Sequence, residues 1–128
     1  MRTFTLAAAL SLAAVAAHAQ GIDGIFQTQP NDNGDIGMVQ FAPCGERWCG
    51  TLIKSFHADG SEFESPNHGR NIVWDMVDAG GGKFRDGKIW DPGADKTYSS
   101  KMTLSGKTLK VSGCISVICR GQTWVRVK

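Results

Sequence analysis

The chain has 128 residues with 14 Lys or Arg against 12 Asp or Glu, and its aromatic residues are six Phe, four Trp and one Tyr. A near-neutral chain of this size carries one small domain, with no strongly basic composition that would point to nucleic acid and no later apolar run long enough to cross a bilayer as a helix. Charge is unevenly placed: residues 20–82 hold three basic and nine acidic side chains, whereas residues 83–128 hold ten basic and three acidic. The expectation is that oppositely charged strands meet across one sheet. The alternative is a basic face for an anionic partner such as an envelope lipid headgroup.

The first residues read as an export signal. Arg2 precedes the uncharged run Phe4–Ala17, and Ala17-His18-Ala19 offers the small residues a signal peptidase needs. Residues 1–19 are therefore read as a signal peptide, residues 20–128 as the mature domain, and the compartment as periplasmic or secreted.

The mature chain then alternates short apolar-polar runs with turn signals. Gly24–Thr28 is the first expected strand. Asn33-Gly34 is a hairpin signal, because both central turn positions need positive φ. Ile36–Cys44 and Cys49–Phe56 follow as strands around the turn Gly45–Trp48. The polar stretch His57–Asn71 reads as a loop and Ile72–Val77 as a strand. Asp86-Gly87 reads as a second hairpin, between Lys83–Arg85 and Lys88–Asp91. Thr97–Ser105, Leu109–Cys114 and Cys119–Val127 complete the set. About eight strands with short connections predict an all-β fold: a small antiparallel β-barrel, closed or nearly closed. A two-sheet β-sandwich is the alternative.

Cys44, Cys49, Cys114 and Cys119 form two C-x4-C pairs. An even count in an exported chain reads as disulfides. Three connectivities exist; the local pairs Cys44–Cys49 and Cys114–Cys119 are preferred, because each flanks a hairpin where facing residues lie within bonding distance. A four-thiolate zinc site usually uses C-x2-C spacing, so no metal is assigned to them.

Three blocks of sequence carry a family likeness: Phe41-Ala42-Pro43-Cys44-Gly45 with Cys49-Gly50-Thr51-Leu52-Ile53; Gly87-Lys88-Ile89-Trp90-Asp91-Pro92 with Lys96-Thr97-Tyr98-Ser99; and Leu109–Cys114 with Cys119–Arg126. Together they resemble the exported bacterial family called domain of unknown function 2147, over nearly the whole mature chain. The resemblance implies export and a calycin-like (lipocalin-type) barrel; it implies no reaction. It also implies that Phe26, standing where the family has Trp, is covered by Arg126 to close one barrel end. Asp95 stands where the family's turn has Gly.

Candidate surface for a ligand or partner comprises Trp48, Trp74, Trp90, Tyr98, Ile115, Val117, Ile118 and Trp124. Hairpin tips normally expose polar or Gly-rich residues. The apolar tip Ile115-Ser116-Val117-Ile118 is therefore expected to fold over the barrel's open end; the alternative is a ligand portal or a partner patch. His57, Asp59, Glu62, Glu64 and His68 share one loop, but their spacing matches no metal-binding loop, so neither a metal nor another cofactor is assigned. Serine-hydrolase, zinc-protease and P-loop signatures are absent from the sequence, and no catalytic residue is assigned. The expected function is a non-enzymatic exported binding module for a small apolar or amphipathic ligand in the barrel. The alternative is an envelope interaction or structural domain with a filled core, acting through its hairpin tips and a basic face. Partners are thus a small ligand or an envelope component, and not nucleic acid.

Overall fold

A computed structural model describes residues 21–128 of the chain. The expected export signal and its cleavage site lie outside the described residues. Nine strands follow in order: β1 (Gly24–Gln27), β2 (Ile36–Cys44), β3 (Arg47–Phe56), β4 (Glu62–Phe63), β5 (Asn71–Gly80), β6 (Lys83–Asp91), β7 (Lys96–Ser105), β8 (Thr108–Ile115) and β9 (Ile118–Arg126). All neighbouring strands are antiparallel, in the order β2-β1-β9-β8-β7-β6-β5-β3-β4, and β2 also pairs with β3. That last pairing closes eight strands into a barrel and leaves β4 as a two-residue appendage on β3. The sandwich alternative is thereby set aside.

The meander puts the connections at two ends. The loops 28–35, 57–70 and 92–95 and the β8–β9 tip lie at one end. The other end carries the β2–β3, β5–β6 and β7–β8 turns together with both ends of the described chain. Strand alternation sends Val39, Phe41, Met102, Leu109, Val111 and Trp124 inward, where all are at most 2% exposed. Phe26 and Phe41 meet edge to face with centroids 5.7 Å apart, and Phe41 lies 6.3 Å from Trp124. These large rings occupy the barrel axis at the chain-terminal end.

Two sequence expectations are corrected here. Asp86-Gly87 is no hairpin: β6 runs unbroken from Lys83 to Asp91, and the pairing with β7 slips between Phe84 and Gly87. Asp86 adopts φ 61°. The dipeptide thus supplies the positive φ of a β-bulge rather than of a turn. A Cβ on Gly87 would stand only 2.5 Å from Met76 Sδ and 2.8 Å from the Trp74 carbonyl, so the bulge also lets β5 approach closely. The second correction concerns charge. Cross-strand pairing of the acidic and basic halves is not seen: the ion pairs among the described residues are Asp35–His57, beside the paired ends of β2 and β3, and the local contacts Glu64–His68 and Arg85–Asp86, each within one half.

Both local disulfides are formed, Cys44–Cys49 and Cys114–Cys119. The first staples the β2–β3 turn at the chain-terminal end, and the second staples the β8–β9 hairpin at the opposite end.

Candidate functional site

At the chain-terminal end the barrel is sealed. Phe26 and Arg126 are register partners on β1 and β9, and the guanidinium carbon sits 4.7 Å above the Phe26 ring centroid. Nη1 donates to the Asp23 carbonyl at 3.0 Å, and Nη2 donates to the Gly21 carbonyl. Arg126 is 9% exposed, so its charge is held by an aromatic face and two carbonyls, with no carboxylate partner among the described residues. Ile22, 1% exposed, completes the plug.

The opposite end is built differently. β1 pairs with β9 only at Phe26–Arg126 and Gln27–Val125; above these, the Gln29 side chain accepts from the Thr123 amide at 3.0 Å. From Ile118 to Gln122, β9 faces no strand other than β8 among the described residues. The last β7–β8 pair is Ser99–Cys114, so the turn Ile115–Ile118 lies beyond the β7–β8 pairing and is held by β8–β9 pairing alone. The expectation that this tip folds over the opening is overturned: Ile115, Val117 and Ile118 are 63%, 90% and 72% exposed. Its turn is a two-residue connection in which Ser116 takes φ 56°, and the Cys114–Cys119 bridge lies across its base. A tight turn packs nothing against its own apex, so its apolar side chains stand in water.

Alternation along β8 and β9 places Ile115 and Ile118 on the face that turns toward the barrel axis. Lower on that face, Ile89 and Tyr98 are half-buried and cover Gly113, where a Cβ would meet Ile89 Cγ2 at 3.4 Å and Tyr98 Cβ at 3.5 Å. An apolar wall therefore climbs from the core through Ile89 and Tyr98 to Ile115 and Ile118. On the outer side of the same hairpin, an open hollow of about 630 Å³ is lined by Lys88, Lys101, Arg85 and Asp86 together with Ser116 and Val117. A smaller open hollow, about 380 Å³, lies across the mouth and is lined by Ile36, Met38, Phe56, Ala58 and Pro30 beside His57.

The remaining candidates scatter. Trp90 stands at the open end, but Arg70 lies 3.6 Å over its ring and its Nε1 donates to Asp95 Oδ1 at 2.9 Å. Asp95 adopts φ 50°, which is how it takes the glycine's place in that turn. Trp74 is half-buried midway along β5, and Trp48 lies beside the disulfide at the sealed end. Trp124 is core, 2% exposed, and forms no surface; its Nε1 donates to Gln122 Oε1 at 2.8 Å.

One constellation escaped the sequence reading. Ser55 Oγ lies 3.0 Å from His68 Nε2, and His68 Nδ1 lies 3.7 Å from Glu64 Oε1. The order of groups is that of a hydrolytic triad, but the surroundings are not. Ser55 is 5% exposed, and the Glu64 side chain is 95% exposed. The nearby Gly69 and Arg70 amides are spent on the Leu52 and Asn67 carbonyls, leaving no pair aimed at an oxyanion. The contact anchors the 57–70 loop to β3. Among the described residues no three His, Cys, Asp or Glu side chains converge as metal ligands. In the same loop Asp59 accepts from the Ser61 hydroxyl at 2.6 Å and the Ser61 amide at 2.9 Å, and these bonds lower its carboxyl below the usual range.

A single closed eight-stranded barrel, sealed at one end by an arginine over an aromatic ring and open at the other, is a lipocalin-type architecture. It is similar to protein HP1028 of Helicobacter pylori, described as belonging to the lipocalin family: TM-score 0.70, 19% identity, covering 86% of this chain and 85% of that one. At that identity the likeness carries the fold alone. The chain belongs to the family of uncharacterized proteins conserved in bacteria, DUF2147, whose profile matches residues 24–126. No curated protein matches the chain.

Proposed function

We propose that this chain is an exported, non-enzymatic binding module that acts through the outside of its open end, with the filled barrel as scaffold. Export, and with it a periplasmic or secreted location, rests on the apolar N-terminal run with its small-x-small site and is consistent with two disulfides. One contrast carries the reading. Trp124, Phe26, Phe41, Leu109 and Met76 pack the sealed half of the interior, each at most 2% exposed, while Ile115, Val117 and Ile118 are held in solvent. Apolar surface stapled in place outside a packed core marks a contact site rather than a container.

The second reading, a small apolar ligand within the barrel, draws on the half-buried Ile89 and Tyr98 wall and on the lipocalin-type fold. Native mass spectrometry of mature protein isolated from its own envelope separates the two. The expected result is the bare protein mass, and a fluorescent fatty-acid probe should show no saturable one-to-one binding. A retained small molecule, undisturbed when Ile115, Val117 and Ile118 are all changed to Ser, overturns the surface reading.

A further inference from the structure

We infer that the β8–β9 tip and the basic hollow behind it dock on an anionic lipid surface. The inference rests on the surface reading above and names its partner. The tip alone is an apolar patch that many occupants could cover. What selects among them is the charge around it.

Val117 and Ser116 line the same hollow as Lys88 and Lys101, so the apex residue Val117 shares an outer surface with these cations, while Ile115 and Ile118 stand on the inward face of the same tip. Arg120 follows Ile118 by two residues on the same strand face and is itself exposed. Among the described residues no carboxylate lies within 4 Å of Lys88, Lys101 or Arg120; only Arg85 in this group is paired, with Asp86. These cations belong to the half of the chain with ten basic and three acidic residues. The fold confines the excess to β6–β9 instead of neutralising it against β1–β5.

An apolar apex ringed by unpaired cations matches the boundary between acyl chains and anionic headgroups in both chemistry and order. Branched side chains enter the apolar layer, while lysine and arginine stay at the phosphate level a few ångströms behind. A second copy of this chain fits less well, since pairing two tips would bring Arg120, Lys88 and Lys101 against their own images. The disulfide at the hairpin base keeps the apex extended in the absence of lipid, so docking needs no ordering of the tip.

The test is sedimentation of the mature protein with sucrose-loaded vesicles, either of phosphatidylcholine alone or of equal parts phosphatidylcholine and phosphatidylglycerol. Binding is expected to the anionic vesicles and to fall with added salt. Replacing Ile115, Val117 and Ile118 by Ser together should weaken it by at least about tenfold, the scale set by burying even one branched side chain. Replacing Lys88 and Lys101 by Glu should weaken it by about tenfold or more and remove the preference for phosphatidylglycerol. All five positions lie on the surface, and unchanged circular dichroism confirms the fold of each variant. Three results overturn the inference: no sedimentation with anionic vesicles, equal sedimentation of the tip variant, or tip-dependent dimers by ultracentrifugation with no vesicle binding. A ligand retained inside the barrel would instead overturn the surface reading, and native mass spectrometry reads that separately.

Discussion

Arg126 shows how one residue can close a fold. Its guanidinium covers Phe26 and gathers the Asp23 and Gly21 carbonyls, so it fixes the entering chain as well as the ring. Arg126→Ala removes the cation–π contact and leaves two carbonyls without their donor. The expected loss is about 2–4 kcal/mol in denaturant unfolding, and Arg126→Lys should recover only part of it, because an ammonium lacks the planar fork. This pairing was legible from the sequence resemblance, since both partners stand at family positions. The Ser55–His68 bond was not: its partners are thirteen residues apart, at opposite ends of a polar loop that has no periodicity. Asp59 offers a residue-scale test by titration. Its lowered carboxyl pKa depends first on the Ser61 hydroxyl. A depressed carboxyl pKa favours the folded state above the ordinary value, and that contribution is lost as pH falls through the folded pKa. Ser61→Ala should move the Asp59 titration, followed by carboxyl NMR, upward toward the ordinary range.

The elements were read well where side chains alternate and poorly where the backbone departs from a regular strand. β7 and β8 follow their apolar-polar alternation, and Cys114 sits directly opposite Cys119, whereas Cys44 faces Arg47 and Cys49 faces Ala42, so the first bridge crosses its hairpin diagonally. Asp86-Gly87 misled because a bulge and a type I′ turn both require positive φ, and only the neighbouring strand decides between them. The requirement makes Gly87 testable. Gly87→Ala would force a Cβ against the Trp74 carbonyl and Met76 Sδ, and overpacking of this kind costs roughly 1–3 kcal/mol. Equilibrium unfolding measures it, and Met76→Ala in the same background should relieve part of the added strain. The disulfides act at this scale too. Each closes a short loop, and changing either pair to Ser should cost about 2 kcal/mol by the chain-entropy model. The consequences should differ in place. Losing Cys114–Cys119 should speed amide exchange at the open end, whereas losing Cys44–Cys49 should loosen the sealed end.

For the whole molecule, closure was legible because about eight short antiparallel strands leave no other economical way to remove sheet edges. What fills the barrel was not legible, because an inward side chain reads the same whether it meets a facing side chain or a ligand. Tip exposure was hidden for a similar reason: apolar residues in a turn point to the core by composition, and only the pairing that stops at Ser99–Cys114 shows that β7 does not cover them. A barrel filled as we propose makes a prediction that a hollow one does not. Phe41 is 2% exposed, meets Phe26 edge to face, and packs beside Trp124; a Cβ added at Gly50 would come within 3.0 Å of its ring. Phe41→Ala should therefore cost about 3–5 kcal/mol and leave a dry cavity lined by apolar side chains. Such a cavity should take up benzene or xenon, recovering part of the lost stability in proportion to ligand concentration, as linkage requires. Native protein should show neither effect, because its rings already occupy the space. If native protein were stabilised by the same probes as strongly as the variant, the interior would have to hold room for a guest, and the open-end surface would lose its claim to be the site of binding.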